Sequence, residues 1–187
     1  RARISAVLPP LSAAISVQIR LHPTQPVTLE ALHVKLGALP AEAVMLLDAI
    51  ARGGFGLLIV GEPGAGKTTL AGALAARLPL AGGAIAVERA RELSLPDGFA
   101  RETASDARPL ADALRDALDQ RPAWLVIDEL RGDEPALWSA LAGPSAPRAI
   151  CVWRGAVEPD RLRSALNIAI RREQPALPQD AIATALA

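Results

Sequence analysis

Hydrophobic positions change their period along the chain, and each change marks a different kind of element. Residues 3–8 (RISAVL) and 15–20 (ISVQIR) alternate apolar with polar side chains, as half-buried strands do. Pro9 and Pro10 separate them, so the pair reads as a hairpin or as the tail of a preceding sheet. Residues 22–26 (HPTQP) hold two prolines in five, which suits neither a helix nor a central strand, and read as a linker. The pattern thus divides the chain into a short β region over 1–24 and a main unit over 25–187.

From Thr28 the apolar positions recur at helical spacing between short apolar runs. Helices are predicted over 28–36, with Thr28 as N-cap, and over 40–51, stopped by Gly53 and Gly54. A strand follows at 55–60 (FGLLIV). Leu70, Leu74 and Leu78 then place one face of a helix over 67–78. Residues 84–88 (AIAVE) predict another strand, and 89–108 read as polar and irregular, with a turn at Pro96, Asp97 and Gly98. An amphipathic helix over 109–119, strand 124–128 (WLVID), helix 133–142, strand 149–153 (AICVW) and helix 159–170 complete the series. Strands alternating with helices predict an α/β fold, its sheet mainly parallel and covered by helices on both faces.

Composition narrows the class. Of 187 residues, 51% are hydrophobic and 21% charged, which supports a packed core rather than a disordered chain. Formal net charge is zero, so no broad basic footprint for nucleic acid is expected. The single cysteine, Cys151, lies in an apolar run and reads as a core residue of a reduced, cytoplasmic protein. No apolar run is long enough for a membrane span. The sequence begins at Arg1 rather than methionine, as part of a longer chain would.

The chemistry concentrates between strand 55–60 and helix 67–78. Gly61, Glu62, Pro63, Gly64, Ala65, Gly66, Lys67 and Thr68, followed by Thr69, spell a complete phosphate-binding loop in its strand–loop–helix context. Glycines let backbone N–H groups turn toward a polyphosphate, and the helix N-terminus adds partial positive charge. Lys67 would reach the β- and γ-phosphates of ATP, and the Thr68 hydroxyl would ligate Mg²⁺. Asp128 and Glu129 end a strand at the sheet edge where such folds bind ligands. Asp128 reads as the Mg²⁺ carboxylate, Glu129 as the group that orients or deprotonates the attacking water. Glu88 ends its strand in the same manner. It reads either as a third acid of that crevice or as a solvated carboxylate beside Arg89 and Arg91. His22, His33, Trp124 and Trp138 read as linker, surface and packing residues.

These residues resemble a family. Glu88-Arg-Ala-Arg-Glu-Leu93, Ala113-Leu-Arg-Asp-Ala-Leu118, Gln120-Arg-Pro122 and Asp128-Glu-Leu-Arg-Gly132 follow the phosphate loop in order. The series is similar to the motor ATPases of bacterial type II and type IV secretion and pilus assembly, especially the tight-adherence pilus and conjugal-transfer motors. The opening residues 3–10 and 16–20 are similar to the stretch joining that family's N-terminal domain to its motor domain. The resemblance implies a RecA-like P-loop ATPase domain and a homo-oligomeric, usually hexameric, ring. It further implies a platform partner and a cytoplasmic location at the inner membrane. By position, Glu88 matches the acidic-box glutamate and Glu129 the Walker B glutamate, so Glu129, Glu88 and Lys67 are the expected catalytic residues. Arg3 and Arg20 sit where the family places arginines that approach the phosphates.

The chain departs from the pattern at several positions. Glu88 is followed by Arg89 where the family has a second acid, and Asp128 stands where it usually has glycine. At the expected histidine box the chain has Trp153 and Arg154, and indole cannot accept a hydrogen bond as imidazole does. A nucleotide-binding ring subunit with little or no turnover is therefore the alternative to a hydrolysing motor.

Overall fold

The structure, a computed structural model, describes residues 2–23, 25–131, 134, 146–155 and 157–185. The helix expected over 133–142, with Trp138, lies outside the described residues apart from the isolated Glu134.

Strands β1 (Ala2–Val7) and β2 (Ser16–Leu21) pair antiparallel as a two-stranded ribbon, with Arg3 opposite Arg20. The alternation here predicts half-buried strands, but every residue of β2 is exposed, Val17, Ile19 and Leu21 included. The period of two reports strand geometry correctly. Burial needs a second layer, and none covers β2 among the described residues.

Helix α1 (Leu29–Val34) begins where Thr28 Oγ1 accepts from Ala31 N–H at 3.1 Å, the expected cap. Helix α2 (Ala41–Arg52) ends at Gly53, and the turn through Gly54 leaves Phe55 exposed outside the following strand. That strand, β3, therefore runs over Leu57–Gly61 rather than 55–60. Helix α3 covers Lys67–Ala75. Its last predicted turn tightens, with Arg77 N–H bonded to Leu74 O and Leu78 N–H to Ala75 O.

Strand β4 (Ala84–Glu88) is buried throughout. Strand β5 (Phe99–Thr103) corrects the reading of 89–108 as irregular, although 89–98 does carry the expected turn. The sequence FARET hides its strand because Arg101 is covered through an ion pair with Glu88 rather than through apolar burial. Helix α4 (Leu110–Asp119), strand β6 (Trp124–Leu130), strand β7 (Arg148–Arg154) and helix α5 (Pro159–Glu173) match the pattern to within a few residues. A short helix α6 (Gln179–Ala185) follows, which the pattern does not announce.

The five strands β3 to β7 form one sheet in the order β3-β7-β6-β4-β5, with every pairing parallel. Side-chain parity divides the core. Ala84, Ala86, Trp124, Val126, Ile150 and Val152 face α1–α3, while Ile85, Val87, Leu125, Ile127, Cys151 and Trp153 face α4 and α5. Sheet burial on both faces is what the continuous apolar runs predict. Cys151 is buried as expected, and Trp124 packs in the core with the Arg148 guanidinium over its ring at 5.8 Å. No described helix is long and apolar enough to cross a membrane.

Candidate functional site

Parallel strands deliver their C-terminal ends to one edge, and the phosphate loop leaves β3 at that edge. Gly64 and Gly66 adopt φ of +86° and +82°, a region where side-chain-bearing residues are strained. No atom lies within 4 Å of a Cβ built at either position, so backbone conformation rather than space calls for glycine. Gly66 caps α3, whose first N–H groups have no acceptor within the helix and point toward the loop. Lys67 Nζ donates to Glu62 O at 2.8 Å, closing the loop on itself.

The loop forms one wall of an open cleft of about 530 Å³. That volume suits a nucleotide-sized ligand. From the loop and α3 come Pro63, Gly64, Gly66, Lys67, Thr68, Thr69 and Gly72; from the strand ends come Glu129, Arg131, Val152 and Arg154. The ribbon and linker contribute Arg20, Leu21, His22 and Pro23, and the segment after β4 contributes Glu92 and Ser94. Arg20, Lys67, Arg131 and Arg154 outnumber the lining carboxylates Glu92 and Glu129, a balance that favours a polyanion.

Thr68 Oγ1 donates to Asp128 Oδ1 at 3.0 Å, so helix α3 and strand β6 meet at the cleft floor. Asp128 is buried, and that burial pushes its carboxyl up to about 7. The Thr68 hydrogen bond opposes the rise, while the charges of Glu88, Glu92 and Glu129 add to it. A carboxylate crowded by other acids is suited to a cation, and hydroxyl plus carboxylate oxygens suit Mg²⁺, which takes its remaining ligands from water and phosphate. Among the described residues no three His, Cys, Asp or Glu side chains gather as a metal cage.

Glu129 owes its position to a bulge. Between Ile127, opposite Cys151, and Leu130, opposite Trp153, strand β6 carries one residue more than β7. Glu129 takes φ of +60°, uncommon for a side-chain-bearing residue, and Leu130 returns to the α4/α5 face that Ile127 occupies. Arg89 Nε donates to Glu129 O at 3.2 Å and its Nη2 to Glu134, which bracket the bulge from the β4 side. The Glu129 carboxylate accepts from Arg131 Nη2 and Arg154 Nη1, each at 3.3 Å and on the same oxygen, Oε1. Such half-exposed pairs contribute about 0–1 kcal/mol each, so Glu129 is held loosely.

Glu88 sits differently from its two readings. It is completely buried, accepts from Leu93 N–H at 2.8 Å and Arg101 Nη1 at 2.6 Å, and does not line the cleft. By holding Leu93 it fixes the segment that carries Glu92 into the cleft wall, where Glu92 lies 3.8 Å from His22 Nε2. Sequence reasoning passed over Glu92 and His22 as cleft residues. For Glu92 the signal was the Glu-Leu pair at the end of the acidic motif, and for His22 there was none. Arg20 lines the cleft, and Arg3 lies opposite it in the ribbon backbone. Trp153 packs on the α4/α5 face, away from α3, and Arg154 takes the cleft side. Ser94 Oγ donates to Pro23 O at 2.6 Å, tying linker to cleft wall.

The sequence pattern of the type II/IV secretion system protein family matches residues 1–143. Among solved structures, the VirB11 ATPase of the Brucella suis type IV secretion system, determined with sulphate, is similar at 25% identity and a TM-score of 0.64. The likeness covers 99% of this chain and 62% of that protein's chain, so the sequence spans less than two thirds of its relative. The Legionella pneumophila ATPase DotB matches at 21% identity and a TM-score of 0.63, over 98% of this chain and 49% of its own. The Yersinia pseudotuberculosis ATPase DotB matches at 17% identity and a TM-score of 0.62, over 98% and 46%. The two DotB likenesses speak for the fold alone. No curated protein sequence matches the chain.

Proposed function

The chain belongs to the type II/IV secretion system protein family, and from that premise we propose that it binds and hydrolyses ATP as a motor subunit of a bacterial secretion or type IV-like pilus assembly system. The observation that carries this reading is the meeting of Thr68 and Asp128 beneath a complete phosphate loop, with Glu129 at the adjoining strand end.

In this reading the loop amides and Lys67 hold the β- and γ-phosphates, with Gly61 and Thr69 shaping the two ends of the loop. Thr68 and Asp128 would hold Mg²⁺, which supplies charge neutralisation for the phosphates when bound. Glu129 orients a water in line with the γ-phosphorus and accepts its proton. The new oxygen–phosphorus bond forms as the bond to the bridging β-oxygen breaks, releasing ADP and phosphate. Glu92 adds a second acid at the wall, and Glu88 braces it from below. Arg20 approaches the phosphates from the ribbon, and Arg3, its backbone partner there, is assigned to the same group of phosphate-binding arginines. Residues 1–24 act as linker strands and 25–187 as a RecA-like motor domain. The subunits assemble as a ring, hexameric in the family pattern, against a platform at the cytoplasmic side of the inner membrane, without nucleic acid.

A second reading keeps nucleotide binding without appreciable turnover, as a structural or regulatory ring member. The double arginine contact on Glu129 favours it, because Arg131 and Arg154 both engage the carboxylate oxygen Oε1 that would otherwise be open to water. Magnesium-dependent phosphate release, measured beside particle size in ATP, separates the two. The motor reading expects turnover that Lys67→Ala and Glu129→Gln abolish with the fold intact. Tight ATP binding with no turnover in the assembled state supports the second reading, and turnover that survives both substitutions rules out the assigned site.

A further inference from the structure

We propose that Arg89 is a positioning residue for hydrolysis, holding the main chain of the β6 bulge so that Glu129 turns into the cleft rather than into the core. The inference rests on the motor reading of the site and names a residue to which that reading gives no part.

Two consecutive acids cannot both face one side of a regular strand. Along β6, Trp124 and Val126 face α1–α3, and Asp128 continues that series by meeting Thr68. Leu125 and Ile127 face α4 and α5, so an unbroken strand would send Glu129 into the same apolar cluster. The extra residue between Ile127 and Leu130 prevents this. Leu130 takes the place in the cluster, and Glu129 lines the cleft on the side where Asp128 meets Thr68. Bulges re-aim side chains in this way.

The bulge is held from outside the strand ladder. Glu129 takes φ of +60°, a conformation that a side-chain-bearing residue keeps only when its surroundings impose it. The pairing of β4 with β6 ends at Glu88 and Asp128, and beyond it the side chain of Arg89 reaches across instead. Its Nε donates to Glu129 O at 3.2 Å, and its Nη2 donates to the buried Glu134 carboxylate. Glu134 in turn accepts from Arg131 N–H, at 3.2 Å on each oxygen. One guanidinium thus fixes the carbonyl before Leu130 directly and the amide after it through Glu134. A planar fork suits two such acceptors at once. Arg131 and Arg154 meet Glu129 at its carboxylate oxygen Oε1, beyond the main-chain bonds that decide which face it takes.

Steady-state ATP hydrolysis by the full chain in magnesium buffer tests this, with urea unfolding measured beside it. Arg89→Met keeps an apolar stem and loses the donors. It should lower kcat by about tenfold to a hundredfold, the scale of a misplaced catalytic group, while KM for ATP stays within about twofold. Arg89→Lys, which keeps the charge and loses the fork, should recover part of kcat. Adding Glu134→Gln to Arg89→Met removes the buried charge that has lost its guanidinium, so the unfolding midpoint should recover in part while kcat does not. If Arg89→Met does not fold, Glu134→Gln alone carries the test, with a smaller fall in kcat at unchanged KM. Unchanged kcat, or a kcat that returns together with stability in the double variant, overturns the positioning role and leaves hydrolysis at this site standing. A parent chain that does not turn over ATP overturns the motor reading and this role with it.

Discussion

The Thr68 hydroxyl donates to the Asp128 carboxyl at 3.0 Å, joining two motifs sixty residues apart in the sequence. The contact places the first turn of α3 over the end of β6 and leaves a buried carboxyl where a cation would sit. Burial raises the Asp128 carboxyl from its ordinary 3.8 to about 7. Between these values the folded chain holds a proton that the unfolded chain has released, so stability falls as pH rises from about 4 to about 7.

Asp128→Asn keeps the acceptor for Thr68 and removes the charge. In buffer free of metal and nucleotide, this variant should exceed the parent in stability at pH 8, by at most about 4 kcal/mol for a shift of this size. At pH 4 the two should be nearly equal. Urea unfolding at both values measures the difference, and a gain independent of pH would mean that the charge is not its cause.

The ion pair between Arg101 and the fully buried Glu88 predicts a different response. Arg101→Met leaves the Glu88 carboxylate buried without its cation and should cost about 3–5 kcal/mol. Adding Glu88→Gln to that variant should recover part of the loss. Thermal unfolding of the single and double variants reads this directly. No recovery in the double variant would show that Arg101 acts through something other than Glu88.

How much of this was legible in the sequence varies with how local each feature is. The phosphate loop needs only its own glycines, Lys67 and Thr68, and it reads without tertiary context. Strands β4, β6 and β7 read clearly because burial on both faces demands continuous apolar runs. Strand β5 did not, since Arg101 is covered by a partner thirteen residues away rather than by an apolar neighbour. The bulge at Glu129 left no mark either, because no glycine or asparagine announces its positive φ. The same limit applies to Glu88 and Glu92. Both belong to one acidic stretch, and only the turn after β4 decides that Glu92, not Glu88, lines the cleft.

Gly72 offers a test of packing behind the cleft. A Cβ there would lie 2.7 Å from Ser94 O, a main-chain atom that cannot swing aside. Alanine is the better helix former by about 1 kcal/mol. Overpacking of this kind costs roughly 1–3 kcal/mol, so Gly72→Ala should be destabilising on balance. Because Ser94 also anchors Pro23, nucleotide affinity should weaken along with stability. Chemical unfolding beside a nucleotide titration checks both effects, and a stabilised variant would contradict the close approach of α3 to Ser94.

Cys151 should be inert in the folded chain. Burial pushes its thiol up to about 12, so almost no thiolate exists at neutral pH, and little of the sulfur is accessible. Iodoacetamide should label it only after urea is added, as followed by mass spectrometry. Rapid labelling of native protein would place Cys151 outside the core.

The central claim is that the loop from Gly61 to Thr68, with Asp128 beneath it, holds a triphosphate and its metal. Isothermal titration of the folded chain with ATP in magnesium buffer tests it most directly. Saturable uptake of one nucleotide per chain, weakened by chelating the magnesium and lost in Lys67→Ala, is the predicted result. Correctly folded protein that takes up neither ATP nor ADP under these conditions would contradict it.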